Sequence, residues 1–174
     1  MLDRRSAIAS VTPYKSATLQ IGEARGFSLL QVAGDAKAIA KVAGKLPNKV
    51  GVALQNNDRT VMRTGANQFW FVGSETDDLA TKLHDVAITT PLSHSRTRLF
   101  IEGAQARDVL VKGVPLDFHP SVFKSSMFAM TGIHHTPVLI YCVETNRFEI
   151  YALRTFAVSV YDWLMDAALE FADH

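Results

Sequence analysis

The hydrophobic and polar positions along the chain divide it into a polar beginning and a regularly patterned remainder. Residues 1–25 include Pro13 and Gly22 and show no sustained apolar period. From residue 26 onward, short apolar runs alternate with segments whose apolar positions recur every three to four residues, a pattern typical of strands mixed with amphipathic helices. We therefore predict an extended N-terminal arm over residues 1–25, of the kind that a partner chain often holds, and a single globular domain over residues 26–174.

The first half of the globular domain, residues 26–90, predicts the order strand, helix, strand, strand, helix. Asp35 is suited to cap the first helix, which Gly44 and Pro47 would end. The second helix opens with Ser74 and Asp77 in the spacing of a capping box. The predicted segments are, in order, FSLLQVAG, AKAIAKVAGKL, RTVMRT, QFWFVG and SETDDLATKLHD.

The second half, residues 91–174, begins the same order again. Its predicted strands are TRLFIEG, PVLIYCV and RFEIYAL, and its predicted helices are AQARDVLVKG and TFAVSVYDWLMDAALEFADH. Gly34 and Gly44 lie ten residues apart, as do Gly103 and Gly113. The repeated order predicts an α+β domain of two pseudo-repeated βαββα units, with helices packed on a mainly antiparallel sheet.

Composition and charge are those of an ordinary globular protein. Eighteen basic against seventeen acidic residues leave a formal charge of +1. Binding to nucleic acid or to an anionic membrane depends on a clustered excess of Lys and Arg, so neither partner is predicted. No stretch approaches the roughly 18 apolar residues of a membrane span. The single cysteine fits a reducing compartment, and we predict a cytoplasmic protein.

Two adjacent histidines and the only cysteine share the stretch TGIHHTPVLIYC, and these residue types build metal sites and thiol nucleophiles. In an extended segment, neighbouring side chains such as His134 and His135 point to opposite faces, and Cys142 lies about 20 Å further along the strand. Structural zinc needs four converging ligands, and Pro137 marks a strand start or edge. We therefore favour strand-entry histidines and a buried cysteine over a chemical role.

Other candidate catalytic groups also have structural explanations. In Ser93–His94–Ser95, a serine nucleophile would need its histidine within hydrogen-bond reach and a third group to orient the ring. The sequence secures neither, and a polar turn before a strand explains the stretch. His119 precedes a proline and is expected in a turn, while Asp77–Asp78 would favour the dipole of a helix start. We predict no catalytic, cofactor-binding or metal-binding residue in this chain.

Apolar and aromatic surfaces are the most informative feature of the sequence. The runs QFWFV and PVLIYCV are apolar on both faces, so each needs helices or a protein partner on both sides. In the last helix, one face carries Phe156, Val160, Trp163, Leu164, Ala167 and Phe171. An internal core and a protein interface both explain these surfaces. The candidate interface residues are Trp70, Arg154, Tyr161 and Trp163.

The stretch GAQARDVLVKGVPLDFHPSVF, residues 103–123, resembles the gamma subunit of heterotetrameric sarcosine oxidase. The positions that match are Gly103, Ala106–Arg107, Lys112–Gly113, Pro115–Leu116–Asp117, His119–Pro120 and Phe123, followed by Thr131, Arg154–Thr155–Phe156–Ala157 and Trp163–Leu164. The resemblance covers residues 59–172 by motif and the first 58 residues by element order. Phe118 and Thr155 depart from it, since the family has Leu and Ser there.

This resemblance implies a non-catalytic structural subunit of a flavin-dependent oxidase that demethylates sarcosine, a secondary amine, to glycine. The partners it implies are alpha, beta and delta subunits. FAD, FMN, NAD and tetrahydrofolate would lie on the alpha and beta subunits and zinc on the delta subunit, with no cofactor in this chain. The implied fold is like the folate-binding domain of aminomethyltransferases. The alternatives are a free-standing folate-binding protein of that type and a small protein-interaction module.

Overall fold

The computed structural model describes residues 5–9, 11–56, 58–74 and 76–172, apart from the side chain of Asp77. In chain order, the strands are β1 (Tyr14–Lys15), β2 (Leu19–Glu23), β3 (Ser28–Ala33), β4 (Ala53–Asn56), β5 (Arg59–Gly65), β6 (Gln68–Gly73), β7 (Ile88–Pro91), β8 (Arg96–Gly103), β9 (Phe128–Ile133), β10 (Thr136–Glu144) and β11 (Arg147–Leu153). The helices are α1 (Ala36–Ala43), α2 (Asp77–Leu83), α3 (Ala106–Val111) and α4 (Ala157–Ala168). They form two compact units, the central unit (Gly26–Ser93) and the terminal unit (residues up to Arg25 with those from His94).

The central unit is a five-stranded antiparallel sheet in the order β4-β5-β6-β3-β7, with α1 and α2 packed on one face. Alternation along β3 turns Leu30 and Val32 to that face, where they pair across the sheet with Phe71 and Phe69. As predicted, the Asp35 carboxylate caps α1 by accepting a hydrogen bond from the Ala38 amide at 2.8 Å. Helix α2 begins two residues later than the predicted capping box implies.

The terminal unit is a six-stranded antiparallel sheet in the order β1-β2-β8-β11-β10-β9, with α3 and α4 on one face. Helix α4 buries six residues against the sheet. They are Ala157, Val160, Tyr161, Leu164, Ala167 and Ala168. This face includes three residues of the predicted apolar face, Val160, Leu164 and Ala167, whereas Phe156 is exposed and Trp163 and Phe171 are only partly buried.

The predicted α+β fold with a mainly antiparallel sheet and helices packed on it is confirmed, and the repeat is visible in the strand orders. The order β4-β5-β6-β3 in one sheet corresponds to β9-β10-β11-β8 in the other; β7 extends the first beside β3, and β2 followed by β1 extends the second beside β8. Each repeat therefore contains one more strand than the predicted βαββα pattern. The additional strands, β4 and β9, lie between the first helix and the hairpin of their repeats.

Part of the predicted arm, residues 19–23, is a strand of the sheet, which corrects the prediction there; residues 1–4 and 10 of the arm lie outside the described residues. Strand β2 pairs along its whole length with β8, with Ile21 opposite Ile101, and both Leu19 and Ile21 are buried. Leu19 and Ile21 alternate with polar or small residues, which is a strand pattern. The pattern is only five residues long and includes Gly22, so it does not predict a strand by itself. The chain passes from one unit to the other between Arg25 and Gly26 and again between Ser93 and His94.

Candidate functional site

The two adjacent histidines form the turn of a hairpin, which corrects the prediction that they begin a strand. Ile133 pairs with Thr136 across the hairpin β9–β10, so His134 and His135 are the connecting residues. His134 adopts the left-handed conformation with φ of 50°. Its N–H donates to the carbonyl of Gly113 at 3.2 Å, and its ring meets Trp163 edge-on at 5.8 Å between centroids. The turn is thereby fixed against the helical layer.

Cys142 is fully buried, as the sequence predicts, and does not have the environment of a thiol nucleophile. Its Sγ donates to the carbonyl of Glu144 at 3.2 Å. Burial raises the pKa of the Cys142 thiol, although the nearby Arg107 charge acts in the opposite direction. A buried, protonated thiol is unreactive. Across the described residues, no three His, Cys, Asp or Glu side chains are grouped so that they could hold a metal ion.

The remaining candidate catalytic residues, Ser93 and His119, stabilise turns through hydrogen bonds. The Ser93 hydroxyl accepts a hydrogen bond from the amide of Leu29 at 2.9 Å, which holds the end of β7 beside β3. Nδ1 of the His119 ring lies 2.7 Å from the Ser121 hydroxyl. The backbone N–H of His119 donates a hydrogen bond to the Asp117 carboxylate at 2.8 Å. These bonds stabilise local backbone, which agrees with the turns predicted at both places.

Arg107 makes polar contacts on several sides to a segment without regular structure. Its guanidinium donates to the carbonyls of Thr145 (2.9 Å), Phe118 and Phe123 (3.2 Å), and it lies 5.0 Å from the ring centroid of Phe148. The three phenylalanines pack on one another. Arg107 therefore ties the segment between α3 and β9 to the sheet. The sequence indicated this residue only as part of a family motif.

Lys112 and Gly113, which directly follow α3, pack against α4 and the turn after it. The Lys112 ammonium donates to the carbonyl of Ala167, pairs with Glu170 at 2.5 Å and lies 4.9 Å from the Phe171 ring centroid. The Trp163 ring packs directly against Gly113. A Cβ at position 113 would lie 2.5 Å from Trp163 Cζ2. The Lys-Gly pair of the family motif thus has a packing role, in which only glycine leaves room for the indole.

The structure does not bring the four candidate interface residues together on a surface. Tyr161 is fully buried and donates through its hydroxyl to the carbonyl of Thr12 at 2.8 Å. Trp70, in the central unit, is 3% exposed and donates through Nε1 to the side chain of Gln31 at 3.2 Å. Both side chains are already buried within this chain, so neither can contact another subunit. The prediction that they lie at an interface is therefore wrong.

The other two candidates, Trp163 and Arg154, are partly exposed. Trp163 rests on Gly113, and Arg154 donates to the carbonyl of Arg5, close to the beginning of the described chain. A role in contacting another chain stays a prediction for these two residues.

Apolar side chains are exposed on α4 and on an edge strand of the terminal unit, and of these the sequence had singled out only Phe156, as part of the apolar face of the last helix. Phe156, Val158 and Leu169 are exposed on α4 and its flanking turns, and Met130 is exposed on the edge strand β9. Each has an alanine as a direct neighbour in the sequence, so the local pattern alone does not distinguish it from a core position. Exposed apolar groups on a helix and on a sheet edge are features of surfaces that contact other chains.

Two clefts in the terminal unit have carboxylates on their walls. One, of about 380 Å³, is lined by residues 15–20 and 102–104, and its Glu102 pairs with Arg147. The other, of about 170 Å³, contains Glu23, which accepts hydrogen bonds from the Ser6 hydroxyl at 2.6 Å and from Arg25 at 2.8 Å. In both clefts the acidic group is already bonded within the chain.

Among the described residues, none of the helices has the length and apolarity that crossing a membrane requires.

Comparison of sequences gives one family and named relatives. The pattern of the family described as "Sarcosine oxidase, gamma subunit family" matches residues 47–170. The chain is 31% identical over 146 residues to "Sarcosine oxidase subunit gamma" of Corynebacterium sp. (strain P-1), covering 80% of this chain and 72% of that protein. A protein of the same name from Arthrobacter sp. is 30% identical over 146 residues, with the same coverage.

Comparison of structures extends the similarity of fold to the whole chain. A chain of "Heterotetrameric Sarcosine Oxidase from Corynebacterium sp. U-96 in complex with pyrrole 2-carboxylate" superposes with a TM-score of 0.89 and 24% identity, covering 98% of this chain and 97% of that one. The glycine cleavage system aminomethyltransferase T from Bartonella henselae superposes with a TM-score of 0.66 and 16% identity, covering 86% of this chain and 46% of that one. The fold expected from the aminomethyltransferase likeness is confirmed.

Proposed function

Because this chain belongs to the sarcosine oxidase, gamma subunit family, we propose that it is the non-catalytic structural subunit of a heterotetrameric, flavin-dependent sarcosine oxidase. The observation that carries this proposal is family membership across residues 47–170. The candidate residues support a structural role, because Ser93, His119 and Cys142 are engaged in turns and core rather than grouped around a cleft.

The proposed complex contains alpha, beta and delta subunits beside this chain and oxidises sarcosine to glycine. FAD, FMN, NAD and tetrahydrofolate are proposed to lie on the alpha and beta subunits, and zinc on the delta subunit. The bonding of both cleft carboxylates within the chain supports that placement, since Glu102 pairs with Arg147 and Glu23 accepts hydrogen bonds from Ser6 and Arg25. The cleft beside Glu23, of about 170 Å³, is smaller than the roughly 300–1,000 Å³ of ligand pockets. We also propose a cytoplasmic location, which the single cysteine supports.

Co-expression tests the proposal. The chain is produced alone, and separately with the other three chains of the oxidase. Alone, it is expected to be colourless and prone to aggregate, since apolar side chains such as Phe156 and Leu169 are exposed. Together, the chains should give a yellow complex that forms hydrogen peroxide when sarcosine is added. A chain that stays a well-behaved monomer and enters no flavin-containing complex would contradict the proposal.

A second candidate follows from the aminomethyltransferase fold, namely a free-standing folate-binding protein. This chain corresponds to 46% of that enzyme's chain, so it offers less than half of the enzyme's framework. Calorimetric titration of the isolated chain with tetrahydrofolate distinguishes the two candidates. The structural proposal predicts no heat of binding, whereas saturable binding would favour the folate-binding alternative.

A further inference from the structure

Four lysines recur at every fourth position along α1 and the loop that follows it. They are Lys37, Lys41, Lys45 and Lys49. All four are exposed, and none forms an ion pair with a described carboxylate. The single acidic residue between positions 35 and 51 is Asp35, whose carboxylate is occupied in capping α1. The region is therefore locally basic although the whole chain carries a formal charge of only +1.

The loop that carries the last two lysines is held by side chains of the neighbouring strands. The Asn56 amide donates to the carbonyls of Ala43 at 3.1 Å and Lys45 at 3.4 Å, which fixes the C-terminus of α1. The Arg63 guanidinium donates to the carbonyl of Asn48 at 2.9 Å. The lysines consequently project from a backbone whose conformation is set in the free chain, and less conformational entropy is lost when a partner binds them.

This arrangement is unfavourable for the chain on its own. Lys37 and Lys41 are one helical turn apart, where like charges repel, and Lys37 lies in the first turn, where a positive charge opposes the helix dipole. Two valines, Val42 and Val50, are 39% and 58% exposed among the lysines. Carboxylates from another molecule would relieve the repulsion, and apolar contact with the valines would bury their surface.

We propose that this basic surface, defined as Lys37, Lys41, Lys45 and Lys49 with Val42 and Val50, docks an acidic and partly apolar surface of another subunit of the complex. The inference rests on the proposed function, because it requires a partner subunit. Residues 35–51 contain no arginine and no aromatic residue, the side chains that bind phosphates bidentately and stack on bases. Arg63, which meets this loop at Asn48, has its guanidinium bound to the backbone carbonyls of Asn48, Gly65 and Ala66, so the region favours a carboxylate-bearing protein surface over nucleic acid.

Zero-length carbodiimide cross-linking of the purified complex tests which groups the lysines meet. This reagent joins an ammonium to a carboxylate only when the two are in ion-pair contact. The expected result is peptides in which the four lysines are joined to Asp or Glu of a different subunit. Cross-links confined to Lys15 and Lys124, two exposed lysines of the terminal unit, would overturn the proposal. Cross-links to Asp162 or Asp166 of a second copy of this chain would also overturn it.

A charge-reversal variant provides the matched measurement. Lys37→Glu/Lys49→Glu should weaken binding to the other subunits about tenfold or more, because like charges would then face each other. Lys15→Glu/Lys124→Glu makes the same change in net charge and should bind as the wild type does. Glutamate at position 37 suits the first turn of α1, so the variant is expected to fold, and its circular dichroism and melting curve check this.

The outcomes separate this inference from the proposed function. If the variant assembles with wild-type affinity into the yellow complex, the docking surface is wrong and the proposed function stands. If the wild-type chain enters no complex, the proposed function fails and the docking surface fails with it. If the substitution leaves assembly intact but abolishes binding to phosphatidylserine vesicles or to a DNA oligonucleotide, the surface serves that ligand instead.

Discussion

At the scale of single residues, Arg107 shows how one side chain organises a segment that has no helix or strand. Residues 112–127 run between α3 and β9, and backbone carbonyls in such a segment need hydrogen-bond donors when they are buried. Arg107 serves the carbonyls of Phe118 and Phe123 together with that of Thr145 in the facing hairpin. The planar guanidinium suits this task because its donors point in several fixed directions.

We expect Arg107→Ala to lower the free energy of unfolding by about 2–4 kcal/mol, because it leaves buried carbonyls without donors. Arg107→Lys should recover only part of the loss, since one ammonium cannot reach all three carbonyls. Urea denaturation measures both variants. Lys124→Ala, an exposed lysine of the same segment, is the control and should change stability by less than about 0.5 kcal/mol. A fully stable Arg107→Lys protein would contradict this role.

We expect Gly113→Ala to destabilise the protein by about 1–3 kcal/mol, because the new methyl group would overlap the Trp163 ring. The emission spectrum of Trp163 should shift as the indole is displaced, and urea denaturation gives the stability. Combining the substitution with Trp163→Leu should cost less than the sum of the two single changes, since the smaller side chain makes room. Additive effects would show that the two residues do not share this contact.

We expect stability to fall in alkaline solution. Burial raises the pKa of the Cys142 thiol above 9.0, and burial followed by the Glu149 charge raises the pKa of the Tyr151 phenol well above 10.0. The unfolded chain therefore loses these protons at a lower pH than the folded chain does. The stabilisation is complete below about pH 9 and is lost as the pH rises through the folded-state pKa values.

The measurement for this alkaline prediction is the free energy of unfolding by urea at pH values between about 8 and 11. Tyr151→Phe, which removes one of the raised groups, should make the decrease less steep. A free energy of unfolding that stays constant across the range would show that these groups titrate alike in both states.

At the scale of elements, the sequence pattern identified the helices and the long strands but not the short ones. Strand β4 has four residues and β9 contains Gly132, so neither shows a clear alternation of apolar positions. Strand β2 was assigned to an arm, because its place in the sheet depends on pairing with β8, about 80 residues away. Short strands of this kind are decided by distant partners, which local patterns do not reveal.

The turn of the hairpin β9–β10 provides the prediction at this scale. His134 is left-handed, a conformation that Asn tolerates and a β-branched residue does not. His134→Asn should therefore be close to wild type in stability, while His134→Val should be less stable by about 1–2 kcal/mol. Both variants lose the ring contact with Trp163, so the difference between their melting curves isolates the backbone effect. Equal stability would mean that the turn is not held in this conformation.

At the scale of the whole molecule, composition gives the average charge and hydrophobicity of the chain, whereas the structure shows where the charged and apolar side chains lie. A formal charge of +1 argues against binding to nucleic acid or an anionic membrane, yet the central unit carries four exposed lysines within residues 37–49 and α4 of the terminal unit carries Asp162 and Asp166. Aromatic residues predicted for an interface, Trp70 and Tyr161, are internal. The burial of Trp70 and Tyr161 depends on which distant segments meet, whereas the lysine cluster lies within residues 37–49 and disappears only when charge is averaged over the whole chain.

The central claim is that this chain assembles with other subunits around flavin chemistry that it does not itself perform. Native mass spectrometry of the complex purified through a tag on this chain, together with its visible absorption spectrum, tests it most directly. We expect four different chains in equal numbers, a flavin spectrum, and no flavin on this chain once the subunits are separated. A purified chain that is found alone, or that retains flavin by itself, would contradict the account.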